Sequence, residues 1–138
     1  MFADRNVKLI VAGDYSAGLQ VPENVILLGR IQDQKELAKY YSMADVTVLT
    51  SKKETFSMVT AESLCCGTPV AGFLAGGPEQ IALDQYSRFV QWGDLRQLSA
   101  AVETLLERKD SDVRIAECAA RAYSKNTMAE GYMALYAN

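Results

Sequence analysis

The sequence predicts an α/β fold: a Rossmann-like parallel sheet with helices on both faces and a helical C-terminal tail. Three observations carry this. Short apolar runs such as Leu9-Ile10-Val11-Ala12 and Val70-Ala71-Gly72-Phe73 alternate with amphipathic stretches as far as Trp92. Strands that are apolar at consecutive positions are buried on both faces, as parallel strands under crossover helices are. From Asp94 onward the apolar period changes to 3.6 and stays there.

Val7 to Ala12 reads as the first strand, rich in β-branched residues and stopped by Gly13. Asn24 to Leu28 repeats the pattern and Gly29 stops it. Asp33 followed by Glu36 is a capping-box-like helix start, with Leu37, Tyr40 and Tyr41 supplying the packing face. Asp45 to Leu49 is a third strand, and Phe56 to Cys66 a helix closed by Gly67. Pro69 to Phe73 is a fourth strand, its proline at the permitted first position. Gly76-Gly77-Pro78 makes a turn and a helix start, since proline suits the first helical position. Arg88 to Trp92 is a short fifth strand. Leu95, Leu98, Val102, Leu105 and Leu106 then form one face of a long helix. Two more helices are expected near Asp112–Tyr123 and Thr127–Tyr136.

Composition narrows the function classes. The 138 residues, 49% apolar and 22% charged, fit one globular domain over 1–138 rather than a disordered chain. No run approaches the ~18 apolar residues of a membrane span, and Met1 to Asn6 has no secretory apolar core. Fourteen basic against seventeen acidic residues argue against a nucleic-acid partner held by phosphate neutralisation. The absence of histidine removes His-liganded zinc and Ser-His-Asp chemistry from this stretch. Cys65, Cys66 and Cys118 have neither disulfide-framework nor metal spacing, so they read as small buried side chains, with oxidation-responsive thiols as the alternative.

In an open α/β sheet, ligands bind beyond the carboxyl ends of the strands. After the first strand, Gly13-Asp14-Tyr15-Ser16-Ala17-Gly18 matches neither nucleotide-binding glycine fingerprint and reads as a turn. The loop after the third strand differs. It carries Glu54 just before a helix and Glu62 in that helix's early turns, with seven residues between. Free N–H groups at a helix start suit a phosphate, whereas carboxylates on either side suit sugar hydroxyls. The loop therefore fits a ligand with a central diphosphate and a polyol at each end. On spacing alone, two surface glutamates favouring a helix N-terminus are the better account of the pattern. Trp92 reads as core or rim packing, and Lys52 and Lys53 as a solvated loop within reach of a phosphate.

Glu54-x7-Glu62, continuing through Ser63-Leu64-Cys65-Cys66-Gly67-Thr68-Pro69-Val70, resembles the signature of retaining GT-B glycosyltransferases of family 4. The likeness runs on in order through most of the chain. Val7 to Gly13 and Val25 to Arg30 look like two of that family's strands. Leu37 to Asp45, Gly76-Gly77-Pro78-Glu79-Gln80-Ile81 and Tyr132 to Tyr136 resemble three of its later motifs.

The resemblance implies the C-terminal, donor-binding half of a two-domain enzyme. That enzyme would transfer sugar from a nucleotide-sugar with retention and without a metal, since cationic side chains and a helix N-terminus carry the diphosphate charge. It implies that Glu62 holds the ribose hydroxyls and that Glu54, the catalytic candidate, contacts the transferred sugar. The main chain of Phe56, Ser57, Met58 and Val59 would lie along sugar and diphosphate, and Arg30-Ile31 would meet the base. The family's usual Glu-Gly-Phe-Gly is here Glu54-Thr55-Phe56-Ser57, which restricts φ and narrows the sugar pocket. The donor expected is a UDP-sugar, with a GDP-sugar as alternative. The acceptor, a glycan or lipid-linked sugar, would belong to the N-terminal domain.

The setting implied is bacterial surface-polysaccharide assembly (O antigen or capsule), in the cytoplasm or peripheral at the inner membrane. The chain starts at what resembles the domain's second strand, without the upstream Arg and Lys that neutralise the diphosphate. An inactive fragment is therefore expected, with strands paired unusually and edges open to self-association. A GT-B-like sugar-nucleotide epimerase and a non-catalytic nucleotide-sugar binding module are the alternative functions.

Overall fold

The computed structural model describes residues 7–108 and 112–136, so Met1 to Asn6, the stretch searched for a secretory core, lies outside it. Each expected strand and helix is present, with ends shifted by up to two residues in either direction. Contacts group the chain into two compact units, Met1–Lys39 and Tyr40–Asn138.

In the first unit, β1 (Leu9–Ala12) pairs in parallel with β2 (Val25–Gly29), Ile10 standing opposite Ile26. The register slips between Val11 and Ala12, which brings Ala12 opposite Gly29. Val7 and Asn24 fall outside the ladder but tie its start together, the Asn24 amide donating to the Val7 carbonyl at 3.1 Å. Neither strand has a fully buried residue. Helix α1 (Gln34–Met43) opens as expected, the Asp33 carboxylate accepting the Glu36 N–H at 2.9 Å, and its last residues enter the second unit.

The second unit holds β3 (Thr47–Leu49), α2 (Met58–Cys65), β4 (Val70–Phe73), α3 (Pro78–Ile81) and β5 (Ser87–Val90). Helices α4 (Leu95–Leu106), α5 (Asp112–Ala122) and α6 (Lys125–Tyr136) follow. Its three strands form a parallel sheet in the order β3-β4-β5. Within each sheet every strand pairs with its neighbour in sequence, so among the described residues the unusual pairing expected from the sequence is not seen. Pro69 cannot donate to the ladder, but its carbonyl accepts the Thr47 N–H at 2.9 Å, so pairing begins at Thr47 rather than Asp45.

All four residues of β4 are buried. Side chains alternate between faces along a strand, so both faces of β4 are covered. Helix α4 lies on β4 and β5, and α2 packs on β4 and α5. The core gathers Leu49, Leu64, Val70, Tyr86, Ile115 and Ala119. Gly67 ends α2 at φ +88°, and a Cβ there would stand 2.6 Å from the Asp112 carbonyl oxygen. Only glycine satisfies both demands.

Asp94 caps α4, accepting the Gln97 N–H at 2.9 Å. Its buried face is Leu98, Ala101, Val102 and Leu105, whereas Leu95 and Leu106, expected on that face, are 62% and 43% exposed. At 3.6 residues per turn these two lie roughly 70–90° from the centre of the buried arc, on its rim. Trp92 packs at a rim too, its ring tilted against Phe73 at 6.3 Å with the Lys52 ammonium 4.8 Å from its centroid. Helix α6 buries no residue.

Candidate functional site

The β3–α2 loop is placed by its main chain. The Glu54 N–H donates to the Ala75 carbonyl at 2.9 Å, and Glu54 forms an isolated parallel bridge with Gly76. The next residue of that segment, Gly77, lies so close that a Cβ would stand 2.6 Å from the carbonyl carbon and oxygen of Thr55. The Ala75–Gly77 segment is itself pinned. The Glu79 carboxylate accepts the N–H of Ala75 at 3.1 Å and of Gly76 at 2.7 Å. Partial burial would raise the Glu79 pKa, but N–H bonds from its own backbone, Ala75 and Gly76 outweigh it and bring it below the usual carboxylate range.

Ser57 turns the loop into the helix. It is 3% exposed and sits at φ 74°, the left-handed conformation glycine adopts most readily. Its hydroxyl accepts the Thr60 N–H at 3.3 Å and shares a 2.9 Å bond with the buried Thr60 hydroxyl. The φ restriction read from the sequence is thus met by a serine held in the glycine conformation. Phe56 and Met58 are exposed, while Val59 packs against the core. Of the N–H groups that open α2, those of Thr60 and Ala61 are turned onto Ser57, whose carbonyl accepts them at 3.1 and 3.5 Å.

The two glutamates differ in surroundings. Oε2 of Glu54 is buried and has no hydrogen-bond partner among the described residues. Oε2 of Glu62, on α2, accepts the Tyr41 hydroxyl at 3.2 Å. Burial first, then the Glu62 charge and its hydrogen bond, push the Tyr41 phenol well above its ordinary pKa, so the hydroxyl keeps its proton and stays a donor. The end of α1 is fastened by Thr68, whose hydroxyl donates to the Tyr41 carbonyl. Arg30, exposed, and Ile31, half-buried, follow β2 in the first unit.

From the sequence alone Tyr41 reads as helix packing, and Glu79 has no assigned role. Nothing local could have revealed the Tyr41 contact, which spans 21 residues. Glu79 carried a fainter signal, an acidic residue in the first turn of a helix opening with proline. The three cysteines are free but not buried as expected: Cys65 is exposed and Cys66 half-buried, because the end of α2 faces outward, and Cys118 is half-buried. Partial desolvation raises the Cys65 and Cys66 thiols above their ordinary value. Among the described residues no helix is long and apolar enough to cross a membrane.

Residues 2–122 match the family model described as "Glycosyl transferases group 1". The D-inositol 3-phosphate glycosyltransferase of Thermobispora bispora is 38% identical over 98 residues, 70% of this chain and 23% of that protein. The enzyme of the same name from Segniliparus rotundus is 29% identical over 153 residues, 99% of this chain and 34% of that protein. The chain thus spans about a quarter to a third of these relatives. Among solved structures, Anabaena Alr3699/HepE in complex with UDP superposes with a TM-score of 0.72 at 20% identity. That match covers 95% of this chain and 41% of that one. Sucrose-phosphate synthase from Thermosynechococcus elongatus gives 0.67 at 27% identity, over 83% of this chain and 31% of that one. The chain belongs to the group 1 glycosyl transferases, and its α/β fold is that of GT-B enzymes.

Proposed function

We propose, from this family membership, that the chain binds the nucleotide-sugar donor of a retaining glycosyl transfer, and that the donor is a UDP-sugar. One observation carries the reading: two carboxylates flank the opening turn of α2, Glu54 with a buried, unpartnered oxygen and Glu62 oriented by Tyr41. Glu62 holds the ribose hydroxyls, and Glu54 receives hydroxyls of the transferred sugar. The main chain of Phe56 to Val59 lies along sugar and diphosphate, with the first N–H groups of α2 facing negative charge. The choice of uridine over guanosine is supported by Alr3699/HepE, solved with UDP and with UDP-glucose.

The transfer runs without a metal, charge on the leaving diphosphate being met by N–H groups and cationic side chains. It takes place in the cytoplasm, where nucleotide-sugars are made. The relatives named above act on an inositol phosphate, so they lend no support to an O-antigen or capsule setting. A phosphorylated polyol therefore ranks ahead of a glycan or lipid-linked sugar as acceptor. Calorimetric titration of the chain with UDP, UDP-glucose, GDP and a GDP-sugar tests the donor. UDP should bind, and UDP-glucose more tightly. Binding of the guanosine ligands alone, or of none, overturns the reading. In the full-length enzyme a chelator should leave the rate unchanged, and the product should keep the donor's anomeric configuration. A net-inverted product would overturn retention, and epimerised donor without transfer would favour an epimerase.

A further inference from the structure

Among the described residues no hydrogen bond to the buried Oε2 fixes the Glu54 carboxylate. What places Glu54 is its main chain, through the bond to the Ala75 carbonyl and the bridge to Gly76. That segment is anchored at one end by the sheet, where the Leu74 N–H donates to the Val90 carbonyl at 2.8 Å. At the other end both of its N–H groups run into one carboxylate, that of Glu79, at 3.1 and 2.7 Å. The chain of contacts is continuous from Glu79 to Ala75 and Gly76 and from there to the backbone of Glu54.

We propose that Glu79 is a positioning residue for sugar recognition: its carboxylate clamps the Ala75–Gly76 segment, which in turn fixes Glu54 where the transferred sugar's hydroxyls are received. The inference rests on the reading of Glu54 as a sugar contact. Two carboxylate oxygens accepting two N–H groups need an ionised acceptor at both positions. Its depressed pKa agrees with an ionised carboxylate across the neutral range. Glutamine keeps the shape but offers one acceptor, and its NH2 group then faces a backbone N–H. Aspartate keeps the charge but is one methylene shorter. The absence of a Cβ at Gly77 completes the clamp, since the Thr55 carbonyl lies against it. A role confined to starting the short helix α3 would place no demand on Glu54.

The test uses the 138-residue chain and the substitutions Glu79→Gln and Glu79→Asp, each checked by circular dichroism for a folded state. Amide hydrogen exchange at Glu54 reads the clamp without any ligand. Loss of one charge-assisted bond should speed exchange there about tenfold or more in Glu79→Gln, while the core strand β4 is unchanged. Calorimetry then compares UDP with UDP-glucose. Glu79→Gln should weaken UDP-glucose about tenfold and leave UDP within about threefold, and it should add nothing further to Glu54→Gln in a double-mutant cycle. Glu79→Asp should fall between wild type and Glu79→Gln in both measurements. Unchanged Glu54 exchange in both variants overturns the clamp, as do additive losses in the cycle or equal losses for both ligands. Faster exchange at Glu54, with a wild-type chain that binds UDP no more weakly than UDP-glucose, overturns instead the reading of Glu54 as a sugar contact.

Discussion

The two carboxylates of the site are held in opposite ways. Glu62 stands on a helix, and its side chain is oriented by a direct bond from Tyr41. Glu54 stands on a loop whose main chain is clamped, while its own carboxylate makes no bond through the buried Oε2. A side chain fixed by a partner can orient a ligand group but has already committed part of its acceptor capacity. A buried carboxylate oxygen without a partner carries the desolvation cost of an unmade hydrogen bond, which a sugar hydroxyl would relieve. The difference teaches where each half of the site is vulnerable: Glu62 through Tyr41, Glu54 through the backbone around it.

The largest effect should come from Gly77→Ala. The added Cβ would lie 2.6 Å from the Thr55 carbonyl and 2.8 Å from the Glu54 carbonyl oxygen, and these backbone atoms cannot turn away as a side chain can. The Glu54 loop must move. The Glu54 contact to the sugar should then be lost, and with a charge-assisted hydrogen bond worth about 1.5–3 kcal/mol UDP-glucose affinity should fall by up to about 100-fold. UDP, assigned under the proposal to Glu62, should change by less than about threefold. Equal losses measured by calorimetry for the two ligands would erase the distinction between the halves.

Direct neutralisation of the two carboxylates comes next. Glu62→Gln replaces a charged acceptor with a neutral amide and should weaken UDP and UDP-glucose alike by about 10- to 100-fold. Glu54→Gln should leave UDP nearly unchanged and weaken only the sugar-bearing ligand. Were both merely favourable charges at a helix start, each substitution would shift stability by about 1 kcal/mol or less and binding not at all.

Tyr41→Phe should produce a smaller change, because it frees Glu62 without removing it. UDP affinity should drop a few-fold, within the range of about 0.5–1.5 kcal/mol for one hydrogen bond. The same substitution should alter the alkaline limb of folding stability. A phenol whose folded pKa lies above its ordinary value contributes stability that is present below that value and is lost as pH rises. Tyr123 provides the control. Burial first, then Cys65, push its phenol up to about 12, and its hydroxyl donates to the Ile81 carbonyl at 2.7 Å. Tyr123→Phe should flatten stability loss between about pH 10 and 12 and leave UDP binding untouched. A loss of UDP affinity in Tyr123→Phe equal to that in Tyr41→Phe would show that helix packing, not the Glu62 contact, is being read.

The elements that rest on local chemistry were legible in the sequence. Asp33 and Asp94 cap the helices they precede, and Gly67 closes α2. The Glu54–Glu62 spacing alone favours two surface glutamates at a helix start, and the family resemblance is what singles out the loop. Where the reading missed, the deciding contact is remote in sequence or depends on the direction of packing. Leu95 and Leu106 fit an apolar stripe, yet the sheet covers a narrower arc centred on Leu98 and Leu105. Tyr41 has the apolar body of a packing residue, and only the fold shows that its hydroxyl meets Glu62. The clamp by Glu79 acts on main-chain groups, which leave no mark on composition or periodicity.

Ser57 gives the smallest expected effect and the sharpest check on how the loop meets the helix. A non-glycine residue in the left-handed conformation costs about 1–2 kcal/mol, so Ser57→Gly removes a penalty. The same change deletes the hydroxyl that caps the Thr60 N–H and satisfies the buried Thr60 hydroxyl. Serine to glycine at a cap costs only a few tenths of a kcal/mol, but a buried hydroxyl left alone costs about 1–3 kcal/mol. The terms oppose each other, and Ser57→Gly should lie within about 1 kcal/mol of wild type in denaturant midpoint. Ser57→Ala keeps the backbone penalty and loses both bonds, so it should be less stable than Ser57→Gly by about 1–2 kcal/mol. Equal stabilities for the two variants would mean that the left-handed turn at 57 carries no strain, and a glycine at that position would then change the pocket's width without touching the fold.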